Sequence, residues 1–188
     1  MSLSDQLTVA LKEWHTVCRA LASGRQTILL RKGGIYESAG EFVLQHRQFV
    51  FFPTFVHQKL EMLKDDAHAD FAPHANEPVN ITLDVAGEVT DIIELTNRAQ
   101  MDRLDREHIW TPSLIDMRFN YRPENPLYLL IVRAYRLHEP ATMQNTVAYV
   151  GCKSWVTLAR PIESRGATPA LSDLAFETRR QSIRTAIT

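Results

Sequence analysis

The sequence predicts an α+β fold in a single domain over residues 1–188, with a mixed or barrel-like sheet, a helix at each end and a pair of helices in the middle. Apolar residues recur at helical spacing near both termini and across residues 97–119. Strand patterns lie between these segments without alternating with them, which favours α+β over a doubly wound sheet. A length of 188 residues with 45% hydrophobic residues suits one domain with a core of its own.

The first third of the chain predicts a helix followed by short strands. Apolar residues spaced three and four apart predict a helix over residues 5–22, and Gly24 can end it in the left-handed conformation. A buried strand over 27–31 follows, and Gly33 with Gly34 fits a tight hairpin turn. The other elements expected here are strands at 35–37, 42–44 and 49–52 and a helix opened by Pro53 or Thr54.

The remainder predicts longer strands and the central helices. Apolar and polar residues alternate over 79–85, which predicts a half-buried strand; Gly87 interrupts it, and a second strand is expected over 89–95. Asn97 with Gln100 and Thr111 with Pro112 are typical helix starts. Further strands are expected at 127–137, 147–150 and 155–158, with a terminal helix after Ser172. The linker-like residues after 160 predict that segment 160–188 lies at the periphery.

Composition excludes some classes of function. The formal net charge of −1 and the pI near 6.7 give no general attraction to polyanions, so nucleic-acid binding would need a local basic cluster. Cys18 and Cys152 are far apart in sequence, which favours reduced thiols over a disulfide. The N-terminus lacks a signal-peptide pattern and no apolar run is long enough to span a bilayer, so we expect a cytoplasmic protein without a membrane partner.

Two short stretches carry candidate site residues. Arg31 and Lys32 follow a buried strand and precede a glycine pair, and such residues suit a phosphate group. The alternative is a solvated hairpin tip. His57 and Gln58 follow an aromatic strand; His can act as a general base and Gln can bind a nucleobase edge. The alternative is a helix-face histidine bonded to a backbone carbonyl.

No cofactor motif is present in the sequence. Walker and Gly-x-Gly-x-x-Gly patterns are missing, and the acidic and histidine residues of 65–74 match no metal-binding spacing. Acids at 84–94 would suit a metal-dependent nuclease only with a lysine two residues after Glu94, and Thr96 stands there. We therefore expect no cofactor, with a divalent metal only if the protein is nuclease-like. Cys152 beside Lys153 could supply a nucleophile, or the cysteine could simply be buried.

Three short words of the sequence carry a family resemblance. They are Leu30-Arg31-Lys32-Gly33-Gly34-Ile35, Phe52-Pro53-Thr54 with His57-Gln58, and Gly151-Cys152-Lys153-Ser154-Trp155. The chain resembles over nearly its whole length a bacterial family known as a domain of unknown function, number eighteen-oh-two, and this resemblance implies no activity. A weaker similarity, through Ser23-Gly24-Arg25-Gln26-Thr27 and the strand before Arg133, is to PUA-like and ASCH-like barrels, and it implies binding of RNA or modified nucleosides.

The leading hypothesis is a nucleic-acid or nucleotide-binding module with RNA or DNA as partner. Its ligand-binding residues would be Arg31, Lys32, Gln58 and Lys153, with Glu37 and His57 as neighbours. The alternative is a hydrolase that cleaves a phosphodiester or a nucleobase amide. In it, Glu37 or His57 would be the base and Lys32 or Arg31 would stabilise negative charge. A third hypothesis is a structural or partner-binding protein. The ligand, the metal requirement and the oligomeric state stay open at this point.

Overall fold

A seven-stranded mixed sheet forms the centre of the protein. The computed structural model describes residues 3–32, 37–38, 41–42, 44–151 and 153–188. Its strands are β1 (Gln6–Trp14), β2 (Ile28–Lys32), β3 (Glu37–Ser38), β4 (Glu41–Phe42), β5 (Gln48–Thr54), β6 (Asn80–Leu95), β7 (Leu127–Gln144), β8 (Trp155–Glu163) and β9 (Thr168–Pro169). The sheet order is β2-β7-β6-β5-β1-β8, with β9 paired to β7. β1 runs parallel to β5, whereas the other pairs in this sheet are antiparallel.

The sheet is curled but not closed. In the strand order, β2 and β1 are separated by β7, β6 and β5. At the usual spacing, four strand steps on a flat sheet would place β2 about 19 Å from β1. Nevertheless the guanidinium of Arg31 on β2 lies 2.8 Å from the carboxylate of Glu13 on β1. The two strands therefore face each other across the inside of a curled sheet, as the predicted mixed or barrel-like sheet requires.

Side chains of the central strands alternate between two apolar layers. Phe49 and Phe51 of β5 lie in the larger core, and Val50 and Phe52 lie in the smaller one. Four α-helices of the described chain contribute to the larger core: α1 (His15–Ala22), α2 (Ala99–Asp102), α3 (Pro112–Asn120) and α4 (Asp173–Ile187). The α+β class and the central helical pair are thus confirmed.

The predicted N-terminal helix is wrong in its first half. Residues 6–14 form β1, and only His15–Ala22 is helical. β1 lies between β5 and β8, and a bulge opposite β8 shifts the register between Leu7 and Val9. As a result Leu7 and Ala10 both face the smaller core while Leu11 faces the larger one. A strand buried on both faces and broken by a bulge mimics helical spacing.

The two strands predicted around Gly87 are one strand. β6 runs without a break from Asn80 to Leu95. A Cβ atom at Gly87 would lie 2.8 Å from the ring of Phe51 and 3.0 Å from Val132. The glycine therefore makes room for the aromatic ring rather than ending the strand.

Of the other local predictions, two are wrong and three are confirmed. The helix expected after Pro53 is wrong, because β5 continues to Thr54 and only a 3₁₀ turn follows at Leu60–Met62. The strand expected at 147–150 is a 3₁₀ turn. Gly24 does take a left-handed φ of 73° after α1. Pro112 does begin α3, and the Ser172 hydroxyl caps α4 by accepting a hydrogen bond from the Ala175 backbone N–H.

Side chains near both ends of segment 160–188 pack into the apolar cores. Ile162 packs in the smaller core, and α4 buries Phe176, Ile183 and Ile187 in the larger one. The helix is also held by charge, because Arg180 and Arg184 both pair with Asp91 of β6.

The remaining expectations concern the glycine turn, the two cysteines and membrane-spanning helices. The Gly33–Gly34 turn and Cys152 lie outside the described residues. Cys18 is a buried free thiol. Within the described ranges, no helix is long and apolar enough to cross a membrane.

Candidate anion-binding cleft

A cleft of about 460 Å³ opens where β1, β2 and β5 end. Its base is formed by the last residues of β1 and by Arg31, and its walls by α3, the segment after β5 and the segment between β7 and β8. The residues that argue for its chemistry are four cations, two carboxylates and one histidine of the described lining: Lys12, Arg31, Arg118, Lys153, Glu13, Glu77 and His57.

A buried ion pair lies at the base of the cleft. Arg31 Nη2 is 2.8 Å from Glu13 Oε2, and the two side chains are 10% and 8% exposed. The same Arg31 nitrogen donates to the Lys12 carbonyl at 3.2 Å, and Glu13 Oε1 accepts the Trp14 backbone N–H at 2.7 Å. The charge of Glu13 is therefore already compensated within the protein, and the pair is fixed in place.

Arg118 brings a second guanidinium to the same place. It lies in the last turn of α3, and its Nε is buried without a hydrogen-bond partner among the described residues. Burial lowers the pKa of Arg118, and the neighbouring Arg31 charge lowers it further, while Glu13 opposes both. Two guanidinium groups thus share one nearby carboxylate, which leaves an excess of positive charge facing the cleft.

Two lysines complete the basic lining. Lys12 donates to the carbonyls of Tyr149 and Gly151, the latter at 3.1 Å, and its ammonium lies 5.8 Å from the centre of the Phe52 ring. These contacts tie the 147–151 segment to β1. Lys153 is exposed on the same wall.

The segment after β5 forms the opposite wall. His57 is exposed and lines the cleft. Glu77 accepts the backbone N–H groups of Phe55 and Val56 at 2.9 and 3.0 Å, and these hydrogen bonds hold the segment in place. Gln58 points inward and is 7% exposed, and its Oε1 accepts both the backbone N–H and the hydroxyl of Thr16 at 2.8 Å. Gln58 thereby caps the first turn of α1 and supports the wall from behind.

The structure brings together three of the six predicted site residues. Arg31, His57 and Lys153 line one cleft. Lys32 turns away, because neighbouring residues of a strand point to opposite faces; its ammonium donates to the Phe119 carbonyl at 2.6 Å, at the C-terminal end of α3. Gln58 lies behind the wall, and the side chain of Glu37 is outside the described residues.

The sequence patterns do not mark Lys12, Glu13 or Arg118 as site residues. Lys12 and Glu13 lie in a segment for which the sequence predicts a helix, and a residue within a helix is not recognised as the end of a buried strand. Correct recognition of β1 would have placed a charged pair at the end of a buried strand, the same signal that identified Arg31. For Arg118 the helix was predicted, but nothing in the sequence shows which element α3 faces.

The carboxylates of β6 do not form a second site. Asp84 pairs with Arg19 at 2.9 Å, and Glu88 accepts from Gln48 Nε2 at 3.0 Å. Asp91 binds the terminal helix, so these three acids each have a partner within the protein. No group of three or more His, Cys, Asp or Glu side chains is placed to hold a metal ion within the part of the chain that the structure describes.

The comparison with known families identifies the chain. Residues 10–182 match the family model described as "Domain of unknown function (DUF1802)". The chain belongs to the DUF1802 family. No curated protein matches the DUF1802 chain in sequence.

Solved structures of an ASCH protein from Zymomonas mobilis are similar to this DUF1802 chain. The crystal structure of that ASCH protein shares 13% identity, with 81% of this chain and 87% of that chain covered and a TM-score of 0.48. Two single-residue mutants of the same protein give 12% and 13% identity, 81% and 84% coverage of this chain, 90% and 92% of those chains, and TM-scores of 0.46 and 0.49. At this level of similarity the likeness carries no information on function.

Proposed function

We propose that this DUF1802 protein binds a nucleic acid or a nucleotide through a phosphate group held in the cleft. The observation that supports the proposal is the charge imbalance of the lining. Arg31, Arg118 and Lys153 bring three positive charges to the lining, against two carboxylates that already accept hydrogen bonds within the protein. A protein of net charge −1 gains affinity for polyanions only from such a local cluster.

The partial burial of the two arginines favours binding of a phosphate. A guanidinium can form two parallel hydrogen bonds to phosphate oxygens, and such charge-assisted bonds strengthen where water is excluded. Arg118 lines the cleft together with Arg31, so an anion in the cleft would meet two guanidinium groups. Arg31 is held by Glu13 and would act from beneath.

The dimensions of the cleft favour a single nucleotide unit over a duplex. A volume of about 460 Å³ lies within the range of ordinary small-ligand sites, about 300–1,000 Å³. Because Arg31 is only 10% exposed, a phosphate can reach the base of the cleft only on a thin, flexible chain or a free nucleotide. We therefore expect single strands and nucleotides to bind more tightly than duplexes.

Binding of a labelled single-stranded RNA and DNA at low salt tests this function. Arg118→Ala and Lys153→Ala should each weaken binding about ten- to one-hundred-fold, the loss expected for one charge-assisted phosphate contact. Arg165→Ala is the matched control, because it removes the same charge from an exposed side chain paired with Asp5. Absence of binding to any single strand or nucleotide by the wild-type protein, or equal losses in the control, would refute the proposal.

Hydrolysis is the second candidate, favoured by the position of His57. Its imidazole is exposed in the same cleft as Arg31 and Lys153, so a base and a stabiliser of negative charge would face the same bound phosphate. Glu37 stays an alternative base. If the protein cleaves a bound oligonucleotide, His57→Ala should abolish cleavage while binding and the melting temperature stay nearly unchanged. Cleavage at the wild-type rate by this variant would exclude His57 as the base.

A further inference from the structure

An exposed aromatic side chain follows the helix that carries Arg118 into the basic cleft. Tyr121 follows the last residue of α3 and is 53% exposed, although tyrosine rings usually cover apolar surface. Arg122 places its guanidinium carbon 5.4 Å from the centre of the Tyr121 ring. One face of the ring is thus covered by a cation, and much of the remaining surface is open.

Tyr121 belongs to the same helix face as Arg118. Residues three apart on a helix are surface neighbours, with Cβ atoms about 5–6 Å apart. The Tyr121 backbone N–H still donates to the Met117 carbonyl at 2.9 Å, so the helical position is kept. The electrostatic influence of Tyr121 on Arg118 raises the pKa of that guanidinium against the larger lowering by burial, which is consistent with their proximity.

The backbone directly after Tyr121 takes an unfavourable conformation. Arg122 has φ of 47°, and no other non-glycine residue of the described ranges has a positive φ. It also precedes Pro123, a position that normally favours an extended backbone. A left-handed arginine costs about 1–2 kcal/mol. Such strain is concentrated at functional sites, where the surroundings enforce it.

We propose that Tyr121 is a stacking surface for the nucleobase attached to the phosphate bound by Arg118. This proposal rests on the proposed function and adds the heterocycle to the ligand. In a nucleotide, one sugar ring separates the base from its phosphate. Tyr121 follows Arg118 by about one helical turn, which suits a ligand of that size. Trp14 also lines the cleft, but its ring packs partly against the larger core and is less free to bind a base.

Stacking predicts that the base contributes to binding only when the ring of Tyr121 is present. The test compares a single-stranded hexanucleotide with a sugar-phosphate hexamer of equal charge that lacks bases, by fluorescence anisotropy at low salt. Tyr121→Ala should weaken hexanucleotide binding about five- to one-hundred-fold, the effect of losing one stacked base. Binding of the abasic hexamer should not change. Tyr121→Phe should bind both oligomers like the wild type, and Met117→Ala, an exposed neighbour one turn earlier, is the matched control.

The outcomes separate this proposal from the function on which it rests. If the wild type prefers the hexanucleotide and Tyr121→Ala removes that preference, the proposal is supported. If the wild type binds both hexamers equally and Arg118→Ala weakens both, the phosphate site stands and the stacking proposal is refuted. The same conclusion follows if Tyr121→Ala weakens both hexamers alike. If the wild type binds neither, the proposed function and the stacking surface are refuted together.

Discussion

Replacing Glu13 by glutamine should destabilise the fold and tighten anion binding at the same time. The substitution keeps the size of the side chain and an oxygen that can accept the Trp14 backbone N–H, so it removes mainly the charge. Arg31 would then be a nearly buried cation without its counter-ion, close to a second guanidinium on Arg118. The cleft would gain one net positive charge.

The size of the destabilisation follows from the burial of the pair. Removing one partner of a buried ion pair costs about 3–5 kcal/mol. Arg31 retains two weak carbonyl contacts, to Lys12 at 3.2 Å and to Leu30 at 3.4 Å, and the cleft admits water from one side. We therefore expect a loss of about 3 kcal/mol in the free energy of unfolding. For a domain of this size that corresponds to a fall in melting temperature of about 6–12 °C.

Urea unfolding and oligonucleotide binding measure the two effects on the same preparation. Asp5→Asn is the control for stability, because it breaks an ion pair of similar length, 2.9 Å, between exposed side chains, and it should cost less than about 1 kcal/mol. Binding by Glu13→Gln should tighten several-fold at low salt, since one repelling charge is lost. An unchanged free energy of unfolding would refute the buried-pair account, and weaker binding by the folded variant would refute the electrostatic account of the cleft.

Three further outcomes can be checked on stability and reactivity. Burial raises the pKa of Asp91, but hydrogen bonds from Arg180 and from a neighbouring threonine outweigh it and hold this pKa below its ordinary value. The ionised carboxylate therefore stabilises the fold above the unfolded-state pKa of about 3.9, and this stabilisation is lost as the pH falls through the lower pKa of the folded state. Asp91→Asn should therefore cost about 1–2 kcal/mol at pH 7 by loosening α4, and the difference from wild type in urea melts should shrink as the pH falls below about 3.9. Burial, followed by the charge of Lys64, lowers the pKa of His108 to about 4. The neutral imidazole is therefore compatible with the fold above pH 6.5, and the free energy of unfolding falls as the pH drops from 6.5 toward 4. His108→Asn should lose less of its free energy of unfolding over that pH range. Burial raises the pKa of the Cys18 thiol, so this thiol should react with a disulfide reagent only after denaturation.

The periodicity of apolar residues predicts individual strands and helices but not the curvature of the sheet. The pattern of residues 27–31, the long strand at 127–137 and the Pro112 helix start are all local signals, and β2, β7 and α3 occupy those places. What the sequence could not show is that β2 and β1, four steps apart in the sheet, meet face to face through Arg31 and Glu13. That contact depends on the curl of the sheet, a property of seven strands together rather than of any one of them.

The candidate site was partly predictable for the same reason. A cation at the end of a buried strand is a visible signal, and it identified Arg31. Strand alternation would have separated Arg31 from Lys32, because adjacent side chains point to opposite faces. Recognition of β1 was prevented by the bulge near Leu7, which disguised a strand as a helix and hid Lys12 and Glu13.

The salt dependence of binding tests the central claim, that the cationic lining holds a phosphate, most directly. Each phosphate contact to a single strand contributes about 0.7 to the slope of log affinity against log salt. The double variant Arg118→Ala, Lys153→Ala should therefore show a slope shallower by about 1.4 than the wild type, while Arg165→Ala keeps the wild-type slope. A double variant that binds single-stranded RNA and DNA with the wild-type slope would contradict the account, because the phosphate would then be held elsewhere.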